Sequence, residues 1–270
     1  MAIRYETHAD GHIALITIDR ADHRNSLDAE HFHLLAESWR RFRDDDQAWV
    51  AIITGVGDAF CTGADLKNFI PKVTAAQREI AQGTVTDIDG FPLADSTFAV
   101  LRDVELYKPI IAAINGFCVA GGMEMVGGID IRIASENASM GVFEPRQGLF
   151  AGGGTTVRLP RQISYPHAME VLLTADPIPA PRAYEMGLVN EVCSSEELLD
   201  RAFDWARRIA KNAPIAIQAT KESVLRGLAV DMAEAYGIEM KLSYRVFTSE
   251  DAKEGPRAFA EKRPPNWQAR

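Results

Sequence analysis

Two glutamates stand where folding chains seldom place charge. Glu124 lies inside CVAGGMEM (118–125), and Glu144 follows Val142 and Phe143 in MGVFEP (140–145). Removing an unpaired carboxylate from water costs several kcal/mol, so such a group is normally paired or put to use. A carboxyl among apolar neighbours holds its proton more tightly, and two that lie close drive their pKa values apart. One can then work ionised as a base while the other works protonated as an acid. Each glutamate also has a structural reading. Glu124 suits a first-turn acid facing a helix dipole, and Glu144 suits an ion pair with Arg146.

Two glycine-bearing loops bear on the choice. GDAFCTGADLK (57–67) and NGFCVAGGMEMVGG (115–128) each follow a strand-like run. Small residues let a main-chain N–H approach a ligand closely. In the second loop Gly121 and Gly122 open a helix, with Met123 to Val126 as its first turn. The Gly121 N–H then points outward with the helix dipole behind it, and Glu124 faces the same region. Together the loops suit a two-donor oxyanion hole. A third segment, AGGGTT (151–156), opens another helix through Arg158 but lacks the GxGxxG spacing of a dinucleotide site.

Positioning these loops takes a scaffold, and the sequence supplies one. HIALITID (12–19), WVAIITG (49–55), PIIAAING (109–116) and IDIRIAS (129–135) read as buried strands. Between the first two, NSLDAEHFHLLAESWRRF (25–42) reads as an amphipathic helix with Asn25 or Ser26 as its cap. Strands alternating with helices predict an α/β core with largely parallel pairing. After Cys193 strand signals stop and amphipathic helices follow one another, the last starting at a Ser249 cap. Residues 1–193 therefore read as the core and 194–270 as a C-terminal helical region. Residues 68–96 keep no period and are expected to form a loop shaped by the substrate.

Composition narrows the function classes. The chain has 270 residues, 47% of them hydrophobic, and a formal charge of -9, with both signs interspersed. That is core enough for one or two domains, with no basic footprint for nucleic acid or an acidic membrane. Cys61, Cys118 and Cys193 are odd in number and lack CxxC spacing, as expected of reduced thiols. MAIRYETHADGH (1–12) has no apolar leader segment, and no apolar run is long enough to span a bilayer, so a soluble, cytoplasmic protein is expected. His8, His12, His23, His31, His33 and His167 form no metal-ligand pattern.

The order NGFCVAGGMEM, MGVFEPRQGLFAGGGTTVRL, AFAEKRPPNW, with RNSL and AFCTGADLK before them, resembles the crotonase superfamily, the enoyl-CoA hydratase/isomerase family, over nearly the whole chain. The resemblance implies a spiral of ββα units, with the C-terminal helices packing across subunits in a homotrimer or a dimer of trimers. Ala64 and Gly121 match the two amide donors that hold a thioester oxygen. Glu124 and Glu144 match the two hydratase acids, and Gly152 matches a glycine lining the reactive centre. Arg24 and the run Ala64, Asp65, Leu66 and Lys67 lie where the family grips coenzyme A. Phe259 and Lys262 resemble tail residues that reach the CoA of a neighbouring subunit.

The implied reaction is hydration of a 2-enoyl-CoA to a 3-hydroxyacyl-CoA, without metal or cofactor beyond the CoA of the substrate. The resemblance leaves two alternatives: a Δ3,Δ2-enoyl-CoA isomerase, which generally needs only the acid at position 144, and a non-catalytic acyl-CoA binding protein. The chain departs from the common family pattern in three places. Ala120 begins the glycine run, Phe143 stands where proline is usual, and Ala151 stands where proline often precedes the glycine.

Overall fold

The computed structural model describes residues 2–9 and 11–270. The chain opens with β1 (Ile3–His8) and β2 (Ile13–Ile18), and α1 (Ala29–Asp44) leads to β3 (Val50–Gly55) and β4 (Ala59–Cys61). Short helices α2 (Ile70–Ala75) and α3 (Gln77–Ala81), a hairpin of β5 (Asp87–Ile88) and β6 (Phe91–Pro92), and α4 (Ala94–Ala99) come next. Two further strand–strand–helix units follow: β7 (Ile110–Ile114), β8 (Phe117–Val119) and α5 (Gly121–Val126), then β9 (Ile131–Ser135), β10 (Ser139–Gly141) and α6 (Thr155–Gln162). Helix α7 (Tyr165–Thr174), β11 (Ile178–Pro179), α8 (Ala180–Glu185) and β12 (Glu191–Cys193) complete the strands. The chain ends in α9 (Leu198–Ala210), α10 (Pro214–Gly227), α11 (Met232–Phe247) and α12 (Glu250–Ala260).

Each unit sends its first strand to a large sheet and its second to a small one. The large sheet runs β1-β2-β3-β7-β9-β12, parallel throughout except for the antiparallel β1–β2 pair. Its side chains alternate strictly between two apolar layers. Ile13, Leu15, Val50, Ile52, Ile111, Ala113 and Ile133 meet Leu198, Ala202 and Ala206 of α9 on one face. Ala14, Ile16, Ile18, Ala51, Ile53, Ile110, Ala112 and Ile114 join the main core, with Phe32, Leu35, Trp39 and Phe42 of α1, on the other. Burial on both faces is why these strands read as unbroken apolar runs. Leu198, Ala202 and Ala206 share one stripe of α9, so this helix lies against the large sheet.

The small sheet runs β11-β10-β8-β4, and β10, β8 and β4 are mutually parallel. The chain leaves the ends of these three neighbours in the same direction, at the segments carrying Ala64, Gly121 and Glu144. Carboxyl ends of parallel strands are where open α/β sheets gather ligands.

Three local expectations change. Strand β1 escaped notice because IRYETH is a mostly polar edge strand with only Ile3 buried. Helix α1 is capped by Asp28, whose carboxylate accepts the His31 N–H at 3.1 Å, not by Asn25 or Ser26. Asn25 is fully buried instead, its amide donating to the Val56 and Ala59 carbonyls at 3.0 and 2.6 Å. Residues 68–96 carry α2, α3, the β5–β6 hairpin and the start of α4 rather than an open loop.

Candidate active site

The two glycine loops meet main chain to main chain. Leu27 donates its N–H to the Gly63 carbonyl and accepts the Asp65 N–H, each at 2.8 Å, which fixes the loop after β4. That pairing skips the Ala64 N–H. The Gly121 N–H is the first of α5, where no intrahelical acceptor exists. Among the described residues neither amide has a protein acceptor. They are also neighbours: a β-carbon built on Gly121 would lie 3.5 Å from the Ala64 nitrogen. Gly63 is held at φ +84°, and a β-carbon there would stand 2.5 Å from the Gly121 nitrogen. Just before α5, Ala120 adopts φ 50° and ψ -123°, a conformation that costs a residue with a β-carbon about 1–3 kcal/mol. Hydrogen bonds hold it there, from its N–H to Gly141 at 3.0 Å and from Glu124 N–H to its carbonyl at 2.9 Å.

Asp65 is buried and fixes its own loop. Its buried carboxylate accepts the Lys67 and Asn68 N–H groups at 2.9 Å each, the Asn68 amide at 3.0 Å and Arg20 at 3.1 Å. Burial alone would raise its pKa, but the bonds from Asn68, Lys67 and Arg20 outweigh burial and hold it well below the usual carboxylate range. The side chain faces inward and clamps the loop. Leu66 and Lys67 are the exposed members of this segment. Arg24 is exposed at the rim, 3.6 Å from Asp58 and stacked 5.3 Å above the Phe117 ring.

Glu124 extends from the first turn of α5 across to the loop before α6, where its Oε1 accepts the Gly153 N–H at 2.5 Å. It does not cap its own helix. A β-carbon on Gly153 would fall 2.2 Å from Glu124 Oε2, whereas one on Gly152 would meet nothing closer than 3.8 Å. The glycine that packs directly on this acid is Gly153, next to Gly152. Glu144 opens a 3-10 turn, Glu144–Gln147, directly after β10. Its Oε2 is buried without a hydrogen-bond partner. Arg146 turns away from it, pairing with Asp176 at 2.6 Å and lying over the Phe143 ring at 5.0 Å. The ion-pair reading of Glu144 is thereby removed.

Burial raises the proton affinity of both acids. At Glu124 the Gly153 N–H and the charges of Arg102 and Arg158 oppose it. At Glu144 burial is reinforced by the charge of Glu124, and the carboxyl is pushed up to about 7. The charge of Glu124 helps to keep a proton on Glu144. Folding thus prefers the neutral form of Glu144, a preference complete below the pKa of an exposed glutamate and lost as pH rises to about 7. Glu144→Gln, neutral at every pH, should melt several degrees above the parent near pH 8, on the order of 2 kcal/mol. Near pH 4 the two should melt together. Thermal denaturation by circular dichroism at both pH values checks this.

Phe259 is 87% exposed on α12, and Lys262 stands exposed just beyond that helix. Among the described residues no group of three or more His, Cys, Asp and Glu is placed to hold a metal ion, and no helix is long and apolar enough to cross a membrane.

Comparison with known proteins identifies the family and the fold. The family model described as enoyl-CoA hydratase/isomerase matches residues 8–270. The chain is 39% identical over 260 residues to the enoyl-CoA hydratase EchA19 of Mycobacterium tuberculosis, covering 96% of this chain and 94% of the relative. It is also 39% identical over 257 residues to (E)-benzylidenesuccinyl-CoA hydratase of Thauera aromatica, covering 94% of each. The crystal structure of an enoyl-CoA hydratase from Bacillus anthracis superposes with a TM-score of 0.89 over the full length of both chains, at 32% identity.

Proposed function

Because the chain belongs to the enoyl-CoA hydratase/isomerase family, we propose that it adds water across the α,β double bond of a 2-enoyl-CoA thioester. The observation that carries this reading is a pair of acids close enough for the charge of one to raise the other, near two main-chain amides with no acceptor among the described residues. The thioester carbonyl accepts hydrogen bonds from Ala64 and Gly121, which stabilise the enolate that forms as the β-carbon is attacked. Glu124 takes a proton from water as its oxygen bonds to that carbon. Glu144 then gives its proton to the α-carbon, and the product is a 3-hydroxyacyl-CoA. The reaction calls for no cofactor beyond the CoA carried by the substrate. A single-acid isomerisation leaves Glu124 without a role, so the retention of both acids supports hydration over that alternative.

Leu66, Lys67 and Arg24 are the surface groups at the mouth that suit the CoA portion. Helices α10 to α12 display Val224, Leu228, Met232, Tyr236, Met240, Tyr244, Phe247 and Phe259 to solvent. Apolar display on that scale supports assembly into a trimer or a dimer of trimers, with Phe259 and Lys262 serving the neighbouring subunit. A panel of 2-enoyl-CoA thioesters, from crotonyl-CoA to aryl-substituted acyl groups, tests the assignment. Loss of the enoyl-thioester absorbance with formation of 3-hydroxyacyl-CoA is expected. Binding without loss of absorbance would make the chain a binding protein, and turnover restricted to 3-enoyl-CoA would make it an isomerase.

A further inference from the structure

Arg102 lies outside every motif that drew attention in the sequence, yet it is joined to Glu124 by a short chain of bonds. Its guanidinium donates to the Gly152 carbonyl. That carbonyl and the Gly153 N–H belong to the same peptide unit, and the Gly153 N–H donates to Glu124 Oε1 at 2.5 Å. We propose that Arg102 is a positioning residue for the Glu124 carboxylate, acting through the peptide between Gly152 and Gly153. This deepens the hydratase reading and rests on it for the meaning of Glu124 as a base.

The physical argument has three parts. A cation on the oxygen end of a peptide withdraws electron density and makes its N–H a stronger donor, because hydrogen bonds in series polarise one another. The Gly153 N–H is the direct protein hydrogen bond to the Glu124 carboxylate, so its strength and direction fix where the base lies. The anchorage of Arg102 is also built in. Its flanking residues Leu101 and Asp103 have φ of 59° and 57°, conformations that residues with β-carbons adopt at a cost. Arg158 holds that segment by donating to the Val100 carbonyl at 3.3 Å and to Leu101, while also reaching the Glu124 carbonyl at 3.4 Å. The arginine and the acid it serves are thus tied to one frame.

The charged and titratable groups facing Glu124 are Arg102, Arg158 on α6, Glu144 on the 3-10 turn and Cys61 on β4, whose buried thiol is pushed up to about 12. Removing Arg102 leaves the other three in place.

The test reads Glu124 directly. In protein labelled with 13C at glutamate carboxyls, the Glu124 resonance is identified by its disappearance in Glu124→Gln and followed through a pH titration. In Arg102→Met its midpoint should move upward, while Arg102→Lys, which keeps the charge, should stay near the parent. In turnover, kcat for crotonyl-CoA hydration near pH 6 should fall roughly threefold to tenfold in Arg102→Met, with KM unchanged and the acidic limb of the pH profile moved upward. Arg102→Gln supplies the same loss of charge should the Met variant not fold. An unmoved Glu124 titration would overturn the proposal, and so would a change confined to KM, which would make Arg102 a ligand contact. Absence of hydration in the parent protein would instead overturn the functional reading, and the titration would still decide the role of Arg102.

Discussion

Replacing Glu124 with glutamine should lower kcat for enoyl-CoA hydration about a thousandfold, with little change in KM. General base catalysis by a positioned carboxylate contributes about 10²–10⁴ in rate, and the amide keeps the shape of the side chain while removing its basicity. The fold should tolerate the change well. Glu124 is buried with its pKa raised, so a neutral replacement relieves a desolvation cost, and the glutamine oxygen can still accept the Gly153 N–H. Glu144→Gln should lose activity by a similar factor for the complementary reason, having no proton to give. Stopped-flow measurement of kcat and KM for both variants, with melting curves beside them, separates lost chemistry from lost structure. Hydration within tenfold of the parent in either variant would remove that acid from the reaction.

Gly63→Ala should be severely damaging while leaving both acids untouched. The residue sits at φ +84°, and the added methyl would stand 2.5 Å from the Gly121 nitrogen. Its neighbours there are the Gly121 nitrogen and Cα and the Ala120 Cβ, none of which can swing aside as a longer side chain would. The loops carrying the Ala64 and Gly121 amides must move apart, and donors aimed at a developing oxyanion lose their effect when displaced. Loss of a single such donor costs about 10²–10³ in kcat, and here both shift. The left-handed backbone adds about 1–2 kcal/mol of instability. The expected result is a fall in kcat of at least about a hundredfold, together with a lower melting temperature. A kcat near that of the parent would show that the two loops do not depend on this contact.

Much of the molecule could be read before its coordinates. The four central strands were visible because burial on both faces leaves continuous apolar runs, and the two acids were visible because each interrupts such a run. What escaped the sequence depended on tertiary direction. Helix α9 is amphipathic like the helices after it, and only its packing of Leu198, Ala202 and Ala206 on the large sheet assigns it to the core. Asp65 lies in the glycine loop after β4, but sequence does not say which way a carboxylate turns, and Arg20 is forty-five positions away along the chain. Three consecutive glycines conceal which of them touches Glu124. Arg102 gave no signal at all, since a lone arginine in an irregular segment is ordinarily a solvated charge.

In the proposed reaction the amides that polarise the thioester belong to the main chain, whereas the groups that move protons are side chains borne on α5 and on the turn after β10. No substitution at position 124 or 144 deletes an amide, and the Gly63–Gly121 contact dictates neither acid. Such a scaffold can exchange one proton-handling repertoire for another without rebuilding its hold on the activated acyl group. On that reading, new reactions would be reached by point changes that leave the two main-chain donors in place.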